Sequence, residues 1–206
     1  MIKAEAIIVG TITQATQIKS NSQNGNYYSA SVKSAIPQKE GGVKEVFIFI
    51  TAPATASAGI EQLSVNQHVS LKGTLYFRKE GDQIYLNMSV KECTPLDTNP
   101  GDSISGNLAM IGVVGSKAPE VKNGKNGKPF MTFSAYSGDG DKDNRVFTWV
   151  RFTRFNGEVE PFLVPKALVQ ATGSLELQFF NDKLSISCRL GEVKPYIKKA
   201  PAEAPF

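Results

Sequence analysis

An all-β protein with two similar halves is what this sequence predicts, on three observations. The chain nearly repeats itself about one hundred residues on. Its apolar residues fall in short β-rich runs divided by Gly, Asn, Pro and Ser clusters. Each half holds five such runs in the same order, with the widest gap between the third and the fourth. Five strands with an insertion at that point is the order of an OB-fold barrel, so the prediction is two tandem OB-fold five-stranded barrels.

The repeat is visible residue by residue. Val46-Phe47-Ile48-Phe49-Ile50 returns as Val146-Phe147-Thr148-Trp149-Val150. Gly73-Thr74-Leu75 returns as Gly173-Ser174-Leu175, and the hairpin-like Asn24-Gly25 returns as Asn126-Gly127. In the first half the predicted strands are 6–9, 28–32, 46–50, 68–77 and 83–90. In the second they are 108–114, 130–136, 145–155, 168–180 and 183–190. The segments 52–67 and 157–167 are the places left for a short helix or an irregular excursion. Thr94 to Asp102, rich in Pro, Asn and Gly, reads as the connection. The resulting division is a first domain over 1–96, a linker over 97–103, a second domain over 104–196 and a short disordered tail over 197–206.

Composition narrows the function classes. At 41% hydrophobic and 20% charged residues the chain is ordinary globular material. No apolar stretch approaches the ~18 residues of a membrane span and no signal peptide is recognisable, so a cytoplasmic, nucleoid-associated protein is expected. The charge is +1 over residues 1–100 and +3 over 101–206, which permits a polyanionic partner without demanding one. His68 is the sole histidine, which removes the usual general base. Cys93 and Cys188 occupy different places in the two copies and read as reduced, packed thiols. No catalytic residue, cofactor or metal is expected. Asp139-Gly140-Asp141-Lys142-Asp143-Asn144 imitates the start of a calcium loop but lacks its glycine and its closing glutamate. Gly124-Lys125-Asn126-Gly127-Lys128 is too short for a phosphate loop and reads as a basic hairpin tip.

Strand alternation then assigns faces. In the third strand of the second half Val146, Thr148, Val150 and Phe152 share one side, while Phe147, Trp149, Arg151 and Phe155 lie on the other or just beyond it. In the strand before it Met131, Phe133 and Ala135 point inward, opposite Phe130, Thr132, Ser134 and Tyr136. In the first half the outward set is Tyr27, Ser29 and Ser31, then Phe47, Phe49 and Thr51. Exposed rings beside cations suit unpaired bases, because every base has a π-face to stack and a phosphate to neutralise. The candidate stacking residues are Trp149, Phe155, Phe180, Phe147, Phe130, Phe49 and Tyr27. The candidate phosphate partners are Arg151, Arg154, Lys122, Lys125, Lys128 and Arg145. For any one ring taken alone, packing in the barrel stands beside base contact as a reading.

These residues also carry a resemblance. Gly112-Val113-Val114-Gly115, Pro119-Glu120-Val121-Lys122 and Asn126-Gly127-Lys128, then Trp149-Val150-Arg151-Phe152-Thr153-Arg154-Phe155 and Gly173-Ser174-Leu175 with Phe180, resemble bacterial and phage single-stranded-DNA-binding proteins of the tandem OB-fold form. The likeness covers most of 104–196 and, more faintly, the first half. It implies base stacking by Trp149, Phe155 and Phe180, with a turn of the fourth strand at Gly173. In the first half Phe49 stands for the tryptophan, while Thr55 and Glu80 replace the other two rings. That makes the first half a weaker binder or a scaffold. The resemblance further implies four OB domains reached as a homodimer, and replication or repair partners recruited by a C-terminal Pro-Phe. Glu203, Pro205 and Phe206 would form that partner-binding tip; a plain solvated tail is the other reading. The expected activity is sequence-tolerant single-stranded DNA binding in replication, repair or recombination. An OB-fold protein-interaction module of a replication or phage assembly and an RNA-binding OB protein are the alternatives.

Overall fold

The computed structural model describes residues 2–21, 25–56, 58–98, 100–140 and 145–197. Among these there is no helix, and none is therefore long and apolar enough to cross a membrane. The strands are β1 (Ile2–Asn21), β2 (Gly25–Pro37), β3 (Val43–Pro53), β4 (His68–Glu80), β5 (Gln83–Pro95), β6 (Ser103–Val114), β7 (Glu120–Asn123), β8 (Pro129–Asp139), β9 (Val146–Arg154), β10 (Leu168–Phe180) and β11 (Lys183–Pro195).

Pairing closes two rings. In the first half β1 joins β2, β2 joins β3, β3 joins β5 in parallel, β5 joins β4, and β4 returns to β1. In the second half the sequence β6, β8, β9, β11, β10 and back to β6 repeats this connectivity, again with one parallel pair. The alternation read from the sequence points the expected side chains inward. Ile48, Ile50, Leu71 and Met88 are buried in one barrel, and Met131, Phe133, Val150 and Phe152 in the other. Phe133 and Phe152 stack there at 4.9 Å. The excursions between β3 and β4, and between β9 and β10, are turns rather than helices. Ile60, Leu63 and Leu163 from them are buried. Thr16 pins the first one by donating to the Ile60 carbonyl at 2.5 Å and accepting from the Leu63 N–H at 3.2 Å.

The barrels are joined by a strand pair. β1 runs antiparallel to β6 from Ile2↔Met110 to Val9↔Ser103. From Thr11↔Lys33 onward β1 pairs instead with β2 of its own barrel. The handover falls at Gly10, where a Cβ would collide with the Lys33 carbonyl and stand 3.0 Å from Val32. Gly112 plays the same part where β6 passes from β1 to β8, with the Tyr136 carbonyl as its close neighbour. Ser34 ties the first junction, donating to the Val9 carbonyl at 2.8 Å. Nearer the middle of the β1–β6 pairing Glu5 accepts from Lys91 at 2.7 Å and from Thr74 at 2.8 Å, which together hold its carboxyl below the usual range.

Three expectations need correction. Gly73 and Gly173 are not turn residues but sit inside β4 and β10, where the ladder to the next strand slips by one residue. A side chain there would strike the Ser89 or the Arg189 carbonyl, which is why glycine recurs at both. Thr94 and Pro95, read at first as the start of the connection, belong to β5. β7 was unforeseen; it pairs with β8 along one edge and all four of its residues are exposed. Cys93 and Cys188 are free thiols, and burial pushes Cys93 up to about 11 and Cys188 up to about 12. The calcium-like run 139–144 and the tail residues Glu203, Pro205 and Phe206 fall partly or wholly outside the described residues.

Replacing Gly10 by valine should lower the unfolding free energy by about 1–3 kcal/mol, the usual cost of forcing methyl groups into a packed site. Denaturant titration reads this, and an unchanged midpoint would show that the handover tolerates a side chain.

Candidate nucleic-acid interface

The outer face of β8 and β9 is built by strand register. Tyr136 lies directly opposite Trp149, and their rings meet at 4.8 Å. Phe147 contacts the same tyrosine edge-on at 5.2 Å. The indole also lies against Gly115 at the end of β6, where an added Cβ would stand 3.1 Å from its Cζ3. Two neighbours therefore fix a ring that is still 50% exposed. A buttressed but uncovered aromatic is ready to stack on a planar ligand without first losing rotamer freedom.

Trp149 separates two clefts. On one side a cleft of about 400 Å³ runs beneath the β6–β7 connection, walled by Lys117, Lys122, Thr132, Ser134 and Arg151. Glu120 is the acid on that wall, and it is bound to Lys122 at 2.7 Å. That lysine, with Lys117 and Arg151 adding at longer range, holds the Glu120 carboxyl below its usual range. Three cations against one carboxylate leave the cleft net positive. On the other side a cleft of about 600 Å³ brings Trp149 together with Phe180 and Lys183 from the β10–β11 hairpin and Lys79 from the first barrel. Phe180 is 45% exposed, and Lys39, again from the first barrel, stands 4.2 Å from its ring centre.

The remaining predicted residues fall at three places. Phe155 lies just past β9, some six residues or about 20 Å of extended strand from Trp149. It is 61% exposed, 6.5 Å from Phe130 and 5.3 Å from the Arg189 guanidinium. Phe130 is only half exposed. Lys125 and Lys128 are exposed on the β7–β8 turn, where the Lys128 N–H donates to the Asn126 side chain at 3.2 Å. Arg145 is exposed immediately before β9. In the first barrel Phe49 carries Lys19 over its ring at 5.4 Å, while Tyr27 is half-buried opposite Lys19. Thr132 and Ser29, both expected outward, are buried: β7 lies alongside Thr132 in register with Glu120, and Ser29 lies opposite Gln17 of β1.

Arg154 is the residue that the structure removes from the phosphate set. Its side chain is only 13% exposed and its guanidinium donates to Glu160 at 3.0 Å, so its charge is already paired within the fold. Sequence reasoning missed Tyr136 as a buttress, although its outward register opposite Trp149 was a usable signal. It also missed Lys39, Lys79, Lys183 and Arg189, which reach the face from elsewhere in the fold and leave no local pattern.

Fold and face together define an all-β protein of two joined five-stranded barrels with an aromatic and cationic groove. No protein-family model matches the chain, and no curated protein matches it. Among solved structures the chain is similar to the wild-type single-stranded DNA binding protein from Thermus aquaticus, at 14% identity and a TM-score of 0.48 over 98% of this chain and 96% of that one. It is likewise similar to a deletion mutant of that protein, at 14% identity and a TM-score of 0.44 over 98% of each chain.

Arg154→Ala should cost roughly 1–3 kcal/mol of stability, the scale of a lost charged hydrogen bond, whereas Arg151→Ala should leave the denaturation midpoint within about 0.5 kcal/mol. Equal losses from the two substitutions would contradict this division of labour.

Proposed function

We propose that this chain binds single-stranded DNA without sequence preference, by stacking bases on exposed rings and neutralising phosphates with lysine and arginine. The observation that carries the reading is Trp149: half-exposed, held by Tyr136 and Gly115, and forming the shared wall of two clefts that carry cations. Stacking is blind to base identity because each base offers a π-face, and it contributes about 1–3 kcal/mol per base. Arg151, Lys117 and Lys122 follow the backbone on one side of the indole, and Lys183 and Lys79 on the other. Phe155 and Phe180 extend the stacking surface, with Arg189 and Lys39 beside them.

The protein acts by binding rather than catalysis. His68 has its Nδ1 3.1 Å from the Thr11 hydroxyl and its Nε2 buried away from solvent, and the two thiols are held protonated by burial. Work on exposed single strands in replication, repair or recombination is the cellular role that follows, in the cytoplasm at the nucleoid. Residues 1–96 and 104–196 act as the two binding domains, and a homodimer would bring four barrels together. The outer face of the sheet shared by the barrels offers Ile7, Tyr76 and Ile111 for that contact.

Trp149 is the only tryptophan, so its fluorescence reports the site directly. Oligo-dT should quench it stoichiometrically and salt should reverse the quench. The log–log salt slope should be about −0.7 per phosphate neutralised, and Arg151→Ala should make it shallower by about that amount. Trp149→Ala should weaken binding by about 1–3 kcal/mol, read by the anisotropy of a labelled oligonucleotide. Absence of quenching at low salt would sink the reading and favour a protein partner, and a stronger response to oligo-U would move the assignment to RNA.

A further inference from the structure

The groove does not stop at the second barrel. The cleft that holds Trp149 and Phe180 shares Asp82, Ile84, Asn181, Lys183 and Leu184 with a third cleft of about 450 Å³. This third cleft lies over the seam, and its first-barrel wall carries Phe47 and Tyr85. Phe47 is 65% exposed, and Tyr85 is exposed beside it. Neither ring is needed to fill the first barrel, since both alternate with the buried Ile48 and Leu86. The seam shares uncovered rings and lysines with the face around Trp149, but it is richer in acid: Glu45, Asp82 and Asp182 line it, and Glu45 is bound by Lys33 at 2.6 Å.

Those lysines are held by two carboxylates. The β4–β5 and β10–β11 hairpins cross at the seam, where Lys183 binds Asp82 at 2.8 Å and Lys44 binds Asp182 at 2.7 Å. Lys79 donates to the Phe147 carbonyl at 3.2 Å, carrying the line of cations back towards β9. Both ion pairs lie in solvent, and exposed pairs of this kind add little to stability. A phosphate can therefore take the place of either carboxylate at small cost, with the lysine already in position.

We infer that the seam is a second stretch of the nucleic-acid track, in which Phe47 and Tyr85 take bases, Lys44 and Lys183 take phosphates, and Asp82 and Asp182 hold those lysines until a strand arrives. This rests on the proposed single-stranded DNA binding and adds to it a site on the first barrel. It also gives the first half a role that Phe49 alone does not.

The test is a length series of oligo-dT read through Trp149 fluorescence. A strand of about 8 nucleotides can be held by one barrel, whereas one of about 20 exceeds the usual span of a single OB fold. The double variant Phe47→Ala/Tyr85→Ala should bind the short strand as the unaltered protein does. It should bind the long strand about tenfold or more weakly, the scale of losing two stacked bases. Asp82→Asn/Asp182→Asn should bind the long strand several-fold more tightly at low salt. Unchanged long-strand binding in the Phe47/Tyr85 variant, with Trp149→Ala still weakening both lengths, overturns the seam site while the reading around Trp149 stands. A fall in molar mass by light scattering in that same variant, with long-strand binding intact, gives the groove to a second copy of the chain. Weaker binding by the asparagine variant overturns the holding role of the carboxylates. If neither length quenches Trp149 in the unaltered protein, both the inference and the function beneath it fall.

Discussion

The shared edge of β1 and β6 is the constraint on which the rest of the molecule depends. A β-strand has two hydrogen-bonding edges, and a strand in a closed barrel uses both. β1 nevertheless serves three neighbours, because one of its edges is divided lengthwise between β6 and β2. The division works only where the backbones can approach closely, and Gly10 and Gly112 mark those two points. The rings are thereby held in one continuous sheet instead of hanging from a linker.

That joint places the functional features. Because the barrels meet strand to strand, the β4–β5 hairpin reaches β9 and the β10–β11 hairpin reaches β3. Lysines of the first barrel come to stand beside rings of the second: Lys39 over Phe180, and Lys79 in the cleft of Trp149. The face around Trp149 is therefore a product of both halves. The two arginines of β9 show how local geometry divides similar side chains. Arg151 faces a cleft, while Arg154 is mostly covered and paired with Glu160.

Much of this was legible in the sequence wherever burial imposes a period. Val150 and Phe152 against Trp149 and Arg151 could be sorted by alternation, because one side of a barrel strand must be apolar. The repeat supplied the ring connectivity twice over. What stayed hidden lacks such a period. Gln14 to Ser20 of β1 is strand because it pairs with β2, although its side chains are mainly polar and exposed. β7 is strand for the same reason. Gly73 and Gly173 looked like turns because glycine serves turns and bulges alike, and only the slipped ladder tells them apart. Arg154 could not be assigned without Glu160, and the crossing hairpins join residues that are about one hundred positions apart in the chain.

The register of the joint carries one more consequence. The offset that maps Asn24 onto Asn126 also maps Gly10 onto Gly112 and Glu5 onto Asn107, and Glu5 is paired with Asn107. A pseudo-twofold axis therefore passes between two equivalent residues, as in an isologous dimer. Two identical barrels meeting this way would set a carboxylate against its own copy on the axis, and like charges directly opposite are unfavourable. Covalent linkage releases the halves from identity, so an amide can face the acid. It also makes the pairing unimolecular, so that the barrels do not part on dilution. The same release allows one barrel to keep a tryptophan where the other keeps Phe49: the asymmetry of the aromatic face and the neutral cross-strand neighbour of Glu5 are two results of one broken symmetry.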